Sequence, residues 1–259
     1  MIQRAIDASP LAGWTVLSLR PRGQHAALRA AAARAGASLL ALSPLAIELR
    51  TDAASRKALA AARAADVMVF TSPNAVRAAA NLHALRIARN RPVLAVGDGT
   101  RRALQRQGVD ATSPTRMDSE GLLAMPQLQD VAGRSIGLVT APGGRNRLAP
   151  TLQSRGAEVL RADVYQRIAI TIGQARWQAL ADALLAPRRV VLALSSAEAL
   201  DGMLRQQPSH LEKPLRQVAV VVASERLAEA ARKAGFRRIA IAADARPASV
   251  LRAAASAFV

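Results

Sequence analysis

Short apolar segments alternate with alanine-rich helical segments along nearly the whole chain, and this alternation limits the possible folds more than any other feature. The apolar segments are WTVLSL (14–19), SLLAL (38–42), DVMVF (66–70), PVLAV (92–96), RSIGLVT (134–140), AEVLRADVY (157–165), RVVLAL (189–194), QVAVVV (217–222) and RRIAIA (237–242). Several helical segments between them close on a glycine, namely Gly36, Gly108, Gly156 and Gly235, where a glycine typically ends a helix. Continuous apolar strands separated by helices indicate parallel sheets covered on both faces. The sequence therefore predicts an α/β protein.

An internal repeat indicates two similar α/β domains. The segment that begins at Gly13 resembles the segment that begins at Gly133, an offset of about 120 residues. Further along, VMVFTSPNAVRAA matches VLALSSAEALDGM, and VLAVGDGTRRALQRQG matches VAVVVASERLAEAARKAG. The chain thus carries two copies of one unit. The order of the segments alone leaves open which of them pack together.

Two segments at equivalent places in the repeat are candidates for crossings between the domains. They are SPLAIELRTD (43–52) and VYQRIAITIG (164–173), and both mix apolar and polar residues in an extended-looking pattern. Two such crossings predict a cleft between two lobes, the place where small-molecule sites of α/β proteins tend to lie.

The net charge of +18 points toward anionic partners. Such a field concentrates anions near the protein, either nucleic acid or a small polyanionic metabolite. Because all basic residues except Lys57, Lys213 and Lys233 are arginines, a codon bias is an equally simple explanation. Aromatic residues for base stacking are few, with Trp 2, Tyr 1 and Phe 3, and no groove-reading motif is present. Codon bias and a small anion are favoured over nucleic acid.

Other classes are excluded by what the sequence lacks. Without cysteine there is no disulfide, thiolate metal site or cysteine nucleophile. No apolar run approaches the length of a spanning helix or a signal peptide, so the expected location is cytoplasmic. The three histidines His25, His83 and His210 have no spacing that indicates a metal site or a triad. No metal or cofactor is expected.

Several strand-to-helix turns are candidate anion sites. In FTSPNAV, Ser72 is placed to cap a helix and Pro73 to occupy its first turn. Capping alone explains this turn, yet a helix start at the carboxyl end of a parallel strand also attracts carboxylates. In the repeat copy LSSAEAL, Glu198 is expected to complete a capping box with Ser195.

Further turns offer glycines, hydroxyls and arginines. VGDGTRRAL (96–104) has two glycines before Thr100 and lacks the third glycine of a dinucleotide fingerprint. TAPGGRNRL (140–148) places a glycine pair before Arg145, RPRGQ (20–24) supplies Arg20, and DSEGLL (118–123) is expected to be a hydroxyl-capped helix start. The candidate substrate-binding residues are Thr71, Ser72, Asn74, Gly97, Thr100, Gly144, Arg145, Ser195, Ser196 and Arg20.

These motifs, in this order, resemble those of uroporphyrinogen-III synthase. FTSPNAV, VGDGTRRAL, DSEGLL, the GGR loop with RGAEV, and VYQR carry the resemblance, which covers the chain from about Gly13 to Ala255. The ordered set is more specific than any single motif in it. The turn VGDGTRRAL departs from an ideal anion site, because Asp98 brings its own negative charge.

The resemblance implies a fold of two parallel-sheet α/β domains, flavodoxin-like or HUP-like, joined by a two-stranded ladder with the active-site cleft between them. It implies one domain formed by 1–43 and 172–259, a second formed by 52–163, and a linker formed by 44–51 and 164–171.

The resemblance also implies a cyclising hydro-lyase without a cofactor. Such an enzyme converts hydroxymethylbilane into uroporphyrinogen III, inverting ring D through a spiro intermediate and releasing water, in the biosynthesis of tetrapyrroles. Tyr165 would bond to or protonate the departing hydroxyl, while Thr71, Ser72 and Thr100 would hold carboxylates. The implied partner is hydroxymethylbilane, handed over by its synthase to a monomer, with no nucleic acid and no membrane. The alternative is a non-enzymatic two-lobed protein that binds a polycarboxylate.

Overall fold

The computed structural model describes residues 9–88, 90–143 and 147–259. They form two compact units. The first contains the described residues up to Ala46 together with Ile168–Val259, and the second contains those of Ile47–Arg167.

The elements alternate as the sequence predicts. The strands are β1 Thr15–Ser18, β2 Ser38–Ala41, β3 Leu45–Leu49, β4 Val67–Phe70, β5 Val93–Ala95, β6 Ser135–Thr140, β7 Glu158–Asp163, β8 Tyr165–Ala169, β9 Val190–Ala193, β10 Ala219–Val222 and β11 Arg238–Ile241. The helices are α1 Ala26–Arg34, α2 Ala53–Ala64, α3 Pro73–Leu82, α4 Asp98–Gln105, α5 Ser119–Leu123, α6 Leu148–Ser154, α7 Gln174–Ala183, α8 Ala197–Leu204, α9 Glu212–Leu215, α10 Glu225–Lys233 and α11 Pro247–Phe258. None of these helices has the length and apolar character needed to cross a bilayer, within the part of the chain that the structure describes.

Each unit is built on one parallel sheet. The first unit has the strand order β11-β10-β9-β1-β2, and the second has β5-β4-β6-β7. Renumbered within its unit, each sheet follows the order 2-1-3-4, with a fifth strand in the first unit, which is the flavodoxin-like arrangement. The predicted α/β fold class is confirmed.

The two copies of the repeat exchange halves between the sheets. The first copy supplies β1 and β2 to one sheet and β4 and β5 to the other, while the second copy supplies β9 and β10 to the first and β6 and β7 to the second. Strands β3 and β8 form a separate two-stranded sheet. These strands lie within the predicted linker segments 44–51 and 164–171. The domain boundaries themselves stay a prediction.

Both faces of each sheet are covered by apolar residues. In β4, Met68 and Phe70 point into one buried cluster, while Val67 and Val69 point into another on the opposite face. Strands β9 and β10 alternate in the same way in the first unit. Residues of successive positions therefore enter opposite layers, as expected for a parallel sheet between two helical layers.

Four glycines end helices as the sequence predicts. Gly36, Gly108, Gly156 and Gly235 have φ between 73° and 89°, the left-handed region that a side chain disfavours. In each case the next residue donates its N–H to a carbonyl five positions earlier, as Ala157 does to Leu152 at 3.1 Å. This pattern is a Schellman motif, which satisfies carbonyls that the helix end leaves open.

Two predicted caps differ from the observed ones. Helix α5 is capped by the carboxylate of Asp118, which accepts from the Gly121 N–H at 2.8 Å, and not by a hydroxyl. Helix α8 begins one residue later than the capping box with Ser195 assumed, because Ser196 caps it by accepting from the Ala199 N–H at 3.3 Å. The N-cap Ser72 and the first-turn Pro73 of α3 are confirmed.

We expect Gly137→Ala to destabilise the second unit strongly. Gly137 lies in the middle of β6, and a Cβ placed on it would lie 2.0 Å from the Ala62 carbonyl oxygen at the end of α2. Because the obstacle is backbone, the helix would have to move, at a cost of about 1–3 kcal/mol or more. Chemical denaturation measures the loss.

Gly99→Ala provides the matched control in the same unit. Gly99 lies inside α4, and its nearest neighbour across the gap is the Pro73 Cγ at 3.8 Å. Alanine favours a helix over glycine by about 1 kcal/mol, so this variant should be as stable as the parent or more so. Equal effects of the two substitutions would contradict the close helix–strand contact.

Candidate functional site

The second unit has a crevice at the carboxyl ends of β4 and β6, where the strand order changes direction. Phe70 and Val139 are neighbours in the register of these strands, so the residues that follow them meet at the edge of the sheet. The Thr71 hydroxyl donates to the Thr140 hydroxyl at 2.8 Å. A cavity of about 340 Å³ opens at this point. Crevices of this kind are where open α/β sheets bind ligands.

Hydroxyl and guanidinium groups dominate the polar lining of the cavity. The hydroxyls belong to Thr71, Ser72, Ser119, Thr140 and Tyr165, and the guanidinium groups to Arg147, Arg161 and Arg167. The carboxylate in the lining is that of Asp118, which is held by Arg116 at 2.8 Å and by its role as helix cap. The lining therefore favours an anionic ligand.

Tyr165 and Ser72 form a hydroxyl pair in the wall of this cavity. Their oxygen atoms lie 3.0 Å apart. Tyr165 is only 4% exposed, and its ring belongs to the same buried cluster as Phe70. The Ser72 oxygen also accepts the Ala75 N–H at 3.0 Å, as N-cap of α3. The pair uses one of its two hydroxyl hydrogens internally, and the other has no acceptor among the described residues, so it is available to a ligand.

Two arginines fix the loop after β6. Arg161 forms an ion pair with Asp163 at 3.0 Å and donates to the Ala141 carbonyl at 3.1 Å. Arg167 donates to the Pro142 carbonyl at 3.2 Å. Since both guanidinium groups are tied to the backbone beside the cavity, their charge stays in its wall. A third, Arg147, reaches Glu120 at 3.0 Å.

Of the glycine turn before α4, Val96 lines this cavity, whereas Gly97 and Thr100 do not. Gly97 is the N-cap of α4, and Thr100 lies in its first turn, 2% exposed and directed into the core. The hydrogen bond from Arg101 lowers the pKa of the Asp98 carboxyl, whose charge is also paired with Arg102. Binding by Gly97 and Thr100 stays a prediction.

The remaining predicted residues are dispersed. Asn74, in the first turn of α3, accepts from Arg77 at 3.0 Å and does not line the cavity. In the first unit, Arg20 and Ser195 line a smaller cavity of about 60 Å³ at the corresponding place, and Ser196 caps α8. Gly144 and Arg145 lie outside the described residues. Of the predicted set, the structure brings together Thr71, Ser72 and Tyr165.

Sequence reasoning missed several residues of the cavity. Thr140 and Arg147 flank the glycine pair in TAPGGRNRL, and in the segment RADVYQR Arg161 stands three positions before Val164 and Arg167 two positions after Tyr165. The signal was the position of Thr140 at the end of β6 and of the two arginines in β7 and β8 on either side of the turn between them. Using it required knowing that β4 and β6 are neighbours.

We expect Ser72→Ala to destabilise the second unit by about 1–2 kcal/mol, since it removes a helix cap and leaves the buried Tyr165 hydroxyl without its partner. Ser196→Ala, which removes the cap of α8 alone, should cost about 1 kcal/mol or less. Denaturant titration compares the two. A smaller loss for Ser72→Ala than for Ser196→Ala would contradict a contribution from the Tyr165 pair.

Comparison with known proteins gives this cavity its context. The family model described as Uroporphyrinogen-III synthase HemD matches residues 26–252. The uroporphyrinogen-III synthase of Salmonella typhimurium is 36% identical over 200 residues, which are 73% of this chain and 78% of the relative. The uroporphyrinogen-III synthase of Escherichia coli is 37% identical over 141 residues. These residues are 52% of this chain and 54% of the relative, so the match spans about half of each protein.

Two solved structures share the fold. Uroporphyrinogen-III synthetase from Helicobacter pylori is 14% identical with a TM-score of 0.64, covering 94% of this chain and 99% of its own. A mutant uroporphyrinogen III synthase from Thermus thermophilus is 21% identical with a TM-score of 0.60, covering 94% and 98%. With a family match over most of its length and a relative above one-third identity, the chain belongs to the uroporphyrinogen-III synthase family.

Proposed function

We propose that this protein is a uroporphyrinogen-III synthase, a cyclising lyase that converts hydroxymethylbilane into uroporphyrinogen III and water. The observation that carries the proposal is the Tyr165–Ser72 hydroxyl pair in a cavity walled by arginines, in a chain of this family. The substrate is a linear tetrapyrrole with eight carboxylates and a hydroxymethyl leaving group. The cavity offers cations for the former and a hydroxyl donor for the latter.

The cavity fits part of this substrate. Its volume of about 340 Å³ is near the lower end of the ~300–1,000 Å³ typical of ligand pockets. We assign to it the end of the tetrapyrrole that bears the hydroxymethyl group. The arginines hold the carboxylates of that end through charge-assisted hydrogen bonds, and Thr71 and Thr140 supply hydroxyls beside them.

A polarised chain of donors would assist departure of the hydroxyl. The Ala75 N–H donates to Ser72, so Ser72 is free to donate to Tyr165, and Tyr165 then donates outward. This chain begins at the amino terminus of α3, where the helix dipole favours negative charge, and hydrogen bonds in series strengthen one another. Negative charge that develops on the Tyr165 oxygen is thereby stabilised.

The conversion of hydroxymethylbilane into uroporphyrinogen III and water needs no oxidant, reductant or other co-reactant. The C–O bond of the hydroxymethyl group breaks, the oxygen leaves as water with a proton delivered through Tyr165, and the pyrrole nitrogen lone pair stabilises the carbocation. Ring D then attacks through its substituted carbon to give a spiro intermediate, which rearranges and loses a proton. Because the uncatalysed closure gives the other isomer, the enzyme's contribution is to position ring D as well as to assist the leaving group.

Other expectations are part of the same proposal. Hydroxymethylbilane synthase supplies the substrate, the protein acts as a cytoplasmic monomer, and it needs no cofactor or metal. The described residues contain no cluster of three His, Asp or Glu side chains suited to a metal ion. The need for a metal is tested by assaying the protein with and without a chelator.

The product isomers test the function directly. Hydroxymethylbilane generated in situ should give mainly the type III isomer when the protein is present and the type I isomer when it is absent, as separated by chromatography. Type I alone at every protein concentration would refute the synthase and leave the polycarboxylate-binding protein as the surviving alternative. Tetrapyrrole binding without turnover would then be expected.

Tyr165→Phe should lower kcat about 10²–10⁴-fold, the range typical of a general acid, with little effect on KM. The fold should persist because the ring remains in its apolar cluster. Steady-state kinetics and the unfolding midpoint measure both.

Thr15→Val is the matched control for this hydroxyl deletion. Thr15 and Ser38 are the first residues of β1 and β2, and their hydroxyl oxygens lie 3.2 Å apart. Because this pair lies at the amino ends of its strands, and the cavities lie at carboxyl ends, the loss of the Thr15 hydroxyl should leave kcat unchanged. Equal activity of Tyr165→Phe and the parent would remove Tyr165 from the mechanism.

A further inference from the structure

The first unit has a crevice of its own at the change of strand order, between β1 and β9. Arg20 follows β1 and Ser195 follows β9, and both line a cavity of about 60 Å³ with Leu194 and other apolar residues. Since one water takes up about 30 Å³ in the liquid, this cavity has room for a carboxylate group but not for a ring, and Arg20 and Ser195 are the polar residues of its lining.

Arg20 is a cation without a protein partner at this cavity. Among the described residues its guanidinium group forms neither an ion pair nor a hydrogen bond, although burial is sufficient to lower the pKa of Arg20. The three described arginines that line the cavity of the second unit, by contrast, each have a carboxylate or a carbonyl as partner. A partly desolvated and unpaired charge is costly in a folded protein. A bound anion would offset that cost.

A buried histidine holds the backbone of Arg20. His25 is 8% exposed, and its Nδ1 and Nε2 atoms lie 2.9 Å from the Ser18 hydroxyl and 2.8 Å from the Ser43 hydroxyl. The Ser43 hydroxyl in turn donates to the Arg20 carbonyl at 2.8 Å. This network of hydrogen bonds joins the carboxyl ends of β1 and β2 to the start of α1. It ends at the backbone carbonyl of Arg20.

The hydrogen bonds determine the tautomer of His25. Ser43 uses its only hydroxyl hydrogen on Arg20, so it accepts from Nε2–H, and Nδ1 accepts from Ser18, which is fully buried. The charged groups around the ring are all cations. Burial first, and then Arg29, Arg20 and Arg176, lower the pKa of His25 below 6.5. The ring is therefore neutral at physiological pH.

We infer that Arg20 binds one carboxylate of the substrate in the first unit, and that neutral His25, acting through Ser43, is the positioning residue for it. This inference rests on the proposed function, because it takes the polycarboxylate as ligand. It adds a site that uses no residue of the Tyr165 cavity.

Arg20→Met tests the anion site. Its KM for hydroxymethylbilane and its Kd for the octacarboxylate uroporphyrin, measured by porphyrin fluorescence, should both rise about tenfold, the size of one charge-assisted hydrogen bond. The unfolding midpoint should hold or increase, since a partly desolvated charge that has no ion pair among the described residues is removed. Arg22→Met, which removes an exposed arginine two residues away, should change neither constant. Unchanged constants in Arg20→Met would overturn the site.

His25→Asn and His25→Gln test the positioning role. The shorter asparagine amide reaches Ser18 but not Ser43. The glutamine amide has an oxygen that accepts and an NH₂ group that donates, at about the spacing of the two ring nitrogens, so it can replace both contacts. His25→Asn should raise KM and Kd severalfold with kcat nearly unchanged, and His25→Gln should restore both. His83→Gln, at an exposed histidine, controls for the substitution itself. A lower unfolding midpoint in His25→Asn without any change in KM or Kd would show a structural role only and overturn the positioning claim.

The pH dependence of stability tests whether His25 is neutral in the folded protein. Because folding lowers the pKa of His25, the parent should lose stability as pH falls below 6.5 toward the folded pKa. His25→Gln should lack this component, and a parallel loss in both proteins would overturn the neutral assignment.

These outcomes separate the inference from the proposed function. If the parent forms no type III isomer but binds uroporphyrin in a manner that depends on Arg20, the synthase proposal fails and the anion site stands. If the parent forms type III isomer and Arg20→Met has the parent's KM and Kd, the reverse holds.

Discussion

The candidate sites depend on one kind of contact, the parallel pairing of strands that are distant in sequence. In the second unit β4 pairs with β6, and in the first unit β1 pairs with β9. Neither pair is joined by a short connection, so each must be specified by the burial of alternate side chains. A slip of one residue in β4 would place Met68 and Phe70 in the layer that now holds Val67 and Val69. It would also separate Thr71 from Thr140, and the cavity would lose this hydrogen-bonded pair from its lining.

The same pairing explains how a cationic cavity remains stable without a ligand. Arg161 and Arg167 donate to the carbonyls of Ala141 and Pro142, which lie in the loop immediately after β6. These carbonyls satisfy guanidinium donors, and the charge of Arg161 is also balanced by its ion pair with Asp163. The first unit uses a different solution, since Arg20 lacks such acceptors among the described residues. Its position is held through its own carbonyl, by Ser43 and His25. The two units thus share a topology and differ in how each fixes an arginine.

Local features of the fold were predictable from the sequence because they depend on neighbouring residues. The helix ends at Gly36 and Gly156 and the cap at Ser72 follow from short-range chemistry. The exchange of halves between the repeat copies could not be derived from the strand patterns, since both pairings bury similar Val-rich and Leu-rich strands, and only the family resemblance implied it. Thr140, Arg161 and Arg167 were missed for the same reason. Thr100 is a different case: a hydroxyl near a glycine turn suggested a ligand site, and the periodicity of α4 places it in a buried position, so its role in binding stays a prediction.

The topology also explains why the single tyrosine of the chain lies where it does. Tyr165 is the first residue of β8 and lies two residues after the end of β7, and in the order β5-β4-β6-β7 strand β6 lies between β7 and β4. Two strand spacings are about 9.6 Å, so a short hydroxyl side chain at this position would fall well short of Ser72. A buried phenol also requires a partner for its hydroxyl, and the Ser72 oxygen at 3.0 Å is that partner. Ser72 therefore serves the helix and the tyrosine together, and its oxygen links the amino terminus of α3 to the Tyr165 hydroxyl.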